Sequence, residues 1–114
     1  MPFPLVTVVV TAAFSARAKG RMTPSEIEAG IDFLAANPFR GDLIQGTGGI
    51  RKVRFAVGTR GKRGGVRIVY YFHNEAMPVF LLTVFAKNEK DNLSKAERNA
   101  LAKVAAALRA SYGE

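Results

Sequence analysis

The chain has 114 residues, 48% of them apolar, with 17 Lys and Arg against 9 Asp and Glu and a net charge of +8. That length suits one domain over residues 1–114, and the apolar share supports a packed core rather than a disordered tail. With no cysteine and one histidine, His73, the chain has no disulfide framework, thiolate nucleophile or two-histidine acid–base pair, and a zinc site or Ser-His-Asp triad is not expected.

In chain order, residues 4–11 read as a first strand, because Val6, Thr7, Val8, Val9, Val10 and Thr11 are β-branched. The apolar run has no Lys or Arg before it, which a signal peptide needs, and it is too short to span a membrane. A cytoplasmic location without membrane association is therefore expected. Residues 14–20 allow a short helix ending at Gly20. Thr23-Pro24-Ser25-Glu26 is a capping box with proline at the first helical position, and Ile27, Ile31 and Leu34 continue one apolar stripe. Asn37-Pro38 ends that helix, since the residue before proline avoids the helical region.

Residues 41–50 form a glycine-rich loop. It lacks the Gly-Lys-Ser/Thr ending of a phosphate-binding P-loop and runs into a strand, so it reads as a tight connector. Residues 50–57 alternate, with Val53, Phe55 and Val57 on one face and Lys52 and Arg54 on the other. Residues 66–73 place Val66, Ile68, Tyr70 and Phe72 on one face and Arg67, Val69, Tyr71 and His73 on the opposite one. Residues 79–87 stay apolar up to Lys87, as a strand buried on both faces should. Residues 58–65 and 74–78 read as hairpin connections. Ser94-Lys95-Ala96-Glu97 is a second capping box, opening a helix whose stripe is Leu101, Val104, Ala105, Leu108 and Tyr112. The expected fold is α+β, a mainly antiparallel sheet with the N-terminal helices packed on one face and a C-terminal helix.

The charge is concentrated. Between Arg40 and Arg67 lie eight basic residues (Arg40, Arg51, Lys52, Arg54, Arg60, Lys62, Arg63 and Arg67) and one acid, Asp42, so this stretch carries +7 of the net +8. A basic footprint of this kind points to a polyanionic partner. If the outward faces of the two strands agree, Lys52, Arg54 and Arg67 form one cationic patch, with Lys87 at its edge. Tyr71 and His73 share the Arg67 face and offer a surface on which bases can stack. Outward strand residues are often merely solvated. Three cations on adjacent strands repel one another, however, which favours an anion between them. His73, beside a turn, reads equally as an ordinary surface residue.

Three blocks carry a family resemblance: Asn-Pro-Phe-Arg-Gly-Asp-Leu-Ile-Gln-Gly-Thr-Gly-Gly-Ile-Arg-Lys-Val-Arg-Phe (37–55), Arg-Gly-Lys-Arg-Gly-Gly-Val-Arg-Ile-Val-Tyr-Tyr-Phe (60–72) and Leu-Leu-Thr-Val-Phe-Ala-Lys-Asn-Glu-Lys (81–90). In this order, and with the Asn-Leu-Ser-Lys-Ala-Glu-Arg helix start, they resemble the HigB branch of the RelE superfamily of toxins. The resemblance implies a type II toxin that cuts translated mRNA in the ribosomal A site. It also implies an antitoxin partner, a HigA-like helix-turn-helix protein, through which alone the complex meets operator DNA. No cofactor or metal is expected. The same resemblance implies catalytic roles for Lys52 as base or charge stabiliser, for Arg54 and Arg67 as a phosphate clamp, and for Lys87 in support. Arg51, Arg60, Lys62, Arg63, Tyr71 and His73 are the expected RNA-binding residues. Relatives often carry an arginine directly after the position of Lys87, where this chain has Asn88. The proton donor to the leaving oxygen stays open between Tyr112, whose stripe position favours core packing, and His73. The competing readings are a ParE-like toxin that inhibits gyrase without nuclease chemistry, a non-catalytic RNA-binding domain, and a degenerate toxin that folds and binds antitoxin only.

Overall fold

A computed structural model describes residues 5–58, 65–90 and 92–112. Its elements are β1 (Val8–Val10), α1 (Ala12–Ala18), α2 (Pro24–Ala36), β2 (Asp42–Leu43), β3 (Ile50–Phe55), β4 (Val66–Tyr71), β5 (Val79–Ala86) and α3 (Lys95–Ser111). The strands make one five-stranded sheet in the order β1-β5-β4-β3-β2, antiparallel except where β1 runs parallel to β5. The fold is therefore α+β with a mixed sheet, in line with the expected class. No described helix is long and apolar enough to cross a membrane.

Local chemistry sets the boundaries. Thr11, read above as the end of a strand, instead caps α1: its hydroxyl accepts from the Phe14 amide at 3.1 Å and donates to the Leu81 carbonyl at 2.7 Å. The first strand is shortened to Val8–Val10 as a result. Both capping boxes form as the sequence predicts, at Thr23/Glu26 and Ser94/Glu97. The glycine-rich loop contains the two-residue strand β2, which pairs with Arg51 and Lys52. Thr47, fully buried, ties this loop by donating to the Ile44 carbonyl at 2.6 Å and accepting from the Ile50 amide at 3.2 Å.

Two apolar layers sandwich the sheet. Phe14 and Ala18 of α1 and Leu34 of α2 pack on one face with Val53, Val66, Ile68, Tyr70, Leu81 and Val84. Ala105, Leu101 and Leu108 of α3 cover the other, against Ile50, Val69, Tyr71, Phe80, Leu82 and Phe85. Each fully buried large side chain here is worth about 1.5–3 kcal/mol of transfer free energy. The two helical layers thus occupy opposite faces, and β5, between β1 and β4, is buried on both. The α3 layer is the thinner one: of its expected stripe only Ala105 is fully buried, while Val104 and Tyr112 are 41% and 44% exposed. Tyr112 meets Phe80 edge-on at 5.8 Å instead of entering the core.

Candidate functional site

Strand alternation sends Ile50, Lys52 and Arg54 to the α3 side of β3, and Arg51, Val53 and Phe55 to the other. The β3–β4 register then pairs Ile50 with Tyr71, Lys52 with Val69, and Arg54 with Arg67. Arg54 and Arg67 are thus direct cross-strand partners, whose Cβ atoms stand within about 5 Å in such pairs. Lys52 lies two residues along the same face, roughly 7 Å away at the strand rise. The core residues under α3 begin at Ile50, Val69 and Tyr71, so the helix covers that end of the hairpin while Arg54 is exposed. Arg67 faces Phe85 across the next ladder step, which supplies an apolar floor.

Three details complete the patch. The Lys52 ammonium donates to the Asn92 side-chain carbonyl at 2.9 Å, linking β3 to the turn before α3. Lys90 lies over the Phe85 ring, 5.4 Å from its centroid, and is neutralised by Glu97 at 2.5 Å. The Lys90 contact, with the Ser94 amide second, holds the Glu97 carboxyl below the usual carboxylate range. Lys87 is exposed one residue beyond β5, where its amide donates to the Gly65 carbonyl at 3.3 Å. Lys52, Arg54, Arg67 and Lys87 thus come from neighbouring strands of one sheet.

Other expected residues go elsewhere. Arg51 is on the opposite face, donating to the Gly41 carbonyl at 2.7 Å and the Phe39 carbonyl at 3.3 Å, with its guanidinium 5.1 Å from the Phe39 ring centroid. It straps the segment before β2 to the sheet and does not join the cationic patch. Tyr71 is fully buried under α3, and its hydroxyl accepts from Arg109 at 3.0 Å, so its ring is out of reach of an RNA base. The reason is the apolar cover that α3 lays over this end of β4. His73 is exposed, with its ring stacked at 6.4 Å from that of Tyr71. It lies six residues from Arg67 along the chain, about 20 Å at the strand rise, and so sits at the far end of the hairpin. Arg60, Lys62 and Arg63 lie outside the described residues.

Sequence reasoning passed over a second feature. A cleft of about 590 Å³ opens between the β2–β3 edge and the start of α3, lined by Lys52, Asn92, Lys95, Arg98 and Asn99, with Leu43, Ile44 and Leu93 as apolar wall. The available signal was the spacing of Lys95, Arg98 and Asn99 at i, i+3 and i+4, which puts them on one helix face. Lys52 is the residue that this cleft shares with the face carrying Arg54 and Arg67.

The described fold and this cationic face coincide with a match to a known family. The model for the RelE toxin of the RelE / RelB toxin-antitoxin system matches residues 8–114. Nearly the whole chain is covered, and the chain belongs to the RelE family of toxin–antitoxin toxins.

Proposed function

We propose that this toxin is a ribosome-dependent mRNA endoribonuclease of the HigB branch, acting in the cytoplasm, held inactive by a HigA-like helix-turn-helix antitoxin and reaching operator DNA only through it. What supports the nuclease reading is the β3–β4 register, which sets Arg54 directly across from Arg67 with Lys52 two residues away on the same face. Two guanidinium forks side by side suit a phosphodiester, whose oxygens each accept two N–H donors.

In the proposed reaction the ribose 2′-oxygen attacks the adjacent phosphorus. The O2′–P bond forms and the P–O5′ bond breaks, leaving a 2′,3′-cyclic phosphate and a 5′-hydroxyl. The 2′ proton passes to Lys52 acting as a neutral amine, or to water while the Lys52 ammonium, aimed by its bond to Asn92, offsets the charge that develops on the phosphoryl oxygens. Arg54 and Arg67 hold the non-bridging oxygens, which gain charge in the transition state, where preorganised cations act most strongly. Lys87, exposed at the end of β5, supports the clamp as a further cation, and a proton from solvent completes the leaving 5′-hydroxyl. His73 has no part in this scheme because of its place at the far end of β4.

The test is primer extension on message from cells briefly expressing the protein, with Arg67→Ala as control. The nuclease reading expects new 5′ ends confined to translated regions, reduced at least about 100-fold by Arg67→Ala, the scale on which removing a transition-state charge donor acts. Growth arrest with intact message overturns it, and a DNA-damage response that survives Arg67→Ala marks a gyrase poison instead.

A further inference from the structure

The cleft between the β2–β3 edge and the start of α3 carries chemistry that the phosphate clamp does not use. Its described lining holds three cations, Lys52, Lys95 and Arg98, and no carboxylate. It also holds three side-chain amides, Gln45, Asn92 and Asn99. The volume, about 590 Å³, falls in the range of small-molecule sites. Leu43, at 62% exposure, is an exposed apolar side chain in its lining.

The donors are already oriented. Arg98 spends one N–H on the Leu93 carbonyl at 2.8 Å, which pins the guanidinium and leaves four donors. The Asn92 oxygen is occupied by Lys52, so its two amide hydrogens remain to donate. Lys95 and Asn99 are exposed. Lys52 is common to this cleft and to the Arg54–Arg67 face, so the two adjoin at that side chain.

We propose that this cleft seats one unpaired nucleotide of the RNA beside the cut phosphate, with Lys95 and Arg98 on its phosphate and Asn92 and Asn99 on its base edge, so that α3 contributes to sequence preference. This rests on the nuclease reading for the position of the cut, though binding can be tested without it. Cations alone also suit an acidic peptide. The amides favour RNA, because Asn and Gln pair with base edges and unstacked bases are read on those edges. Leu43 and Leu93 give the base plane an apolar surface, and a guanidinium plane such as that of Arg98 is a further stacking partner.

The probe is a set of four short unstructured 5′-labelled RNAs of differing base, titrated with purified protein over a salt series. Lys95→Ala and Asn99→Ala are the variants, since neither side chain supports the fold. The expected result for Lys95→Ala is weaker binding to all four RNAs, with the log–log salt slope reduced by about 0.7, the value for one phosphate contact on a single strand. Asn99→Ala is expected to keep that slope and change the preference among the four RNAs at least fivefold. Wild-type behaviour of both variants overturns the proposal, as does absence of RNA binding by the unaltered protein. Unchanged RNA binding with weakened antitoxin capture also overturns it, and assigns the cleft to an acidic peptide. Message cutting that persists in both variants with unchanged sites, but is lost in Arg67→Ala, removes the cleft from the reaction and leaves the nuclease reading standing. Intact message with a Lys95-dependent salt slope does the reverse.

Discussion

Replacing Arg51 by methionine separates a strap from a substrate contact. The guanidinium makes one short bond to the Gly41 carbonyl at 2.7 Å and a longer one to the Phe39 carbonyl at 3.3 Å, and it lies over the Phe39 ring. Hydrogen bonds to charged groups contribute about 1.5–3 kcal/mol each, with the longer one at or below the bottom of that range. The ring contact adds about 0.5–1 kcal/mol, because Phe39 is exposed. Against this stands the buried Nε, which has no hydrogen-bond partner and costs about 1–3 kcal/mol. The net loss on Arg51→Met is then about 1–2 kcal/mol, since methionine keeps the hydrocarbon packing and relieves the orphaned nitrogen. For a domain of this size that is a fall in Tm of roughly 5–10 °C. Thermal melts followed by circular dichroism measure it, and RNA titrations over a salt series run alongside. The salt slope is expected to stay at the wild-type value, since Arg51 lies on the face away from the cationic patch. Stability within about 0.3 kcal/mol of wild type, together with a slope reduced by about 0.7, refutes this assignment and puts Arg51 on a phosphate.

Tyr70→Phe removes an acceptor for the Gly41 amide at 2.8 Å and a donor to the Pro38 carbonyl at 2.9 Å, so denaturant melts should show a loss of about 1–3 kcal/mol. Gly65→Ala places a Cβ 2.3 Å from the Phe55 carbonyl oxygen at a φ of +55°, and the variant should lose more than about 2 kcal/mol or fail to fold, as read by chemical shift dispersion. Glu89 is held at about 2 by hydrogen bonds from Arg21 first and the Ala86 amide second. Because the folded value is depressed, its contribution is fully present above the unfolded carboxylate value near 4.5 and is lost as pH falls through about 2. Urea melts at pH 6 should find Glu89→Gln about 1 kcal/mol less stable than wild type, a figure discounted because the pair is partly solvated, and melts near pH 2 should find the two alike.

Much of the local structure is legible in the chain because it depends on neighbours a few residues apart. Thr23/Glu26 and Ser94/Glu97 cap their helices through bonds three residues long, and the period-two pattern at Val53, Phe55, Lys52 and Arg54 assigns strand faces without knowledge of the partner strand. β2 was not legible: two residues inside a glycine-rich loop carry no periodicity, and their pairing with Arg51 and Lys52 is a long-range contact. Thr11 shows the same limit, since a β-branched residue ending an apolar run reads as strand until its hydroxyl finds the Phe14 amide.

The candidate site divides along the same line. Composition and spacing were enough to determine that this chain is a basic α+β protein with cations on one face of each of two strands, because charge and alternation are properties of the covalent chain. Only the tertiary structure decided that Arg54 stands across from Arg67, that Tyr71 lies beneath α3 and that Arg51 is bound to backbone carbonyls on the opposite face. The register and the helix that covers one end of the sheet arise from contacts far apart in the sequence, and those contacts determine which charges solvent and a ligand can reach.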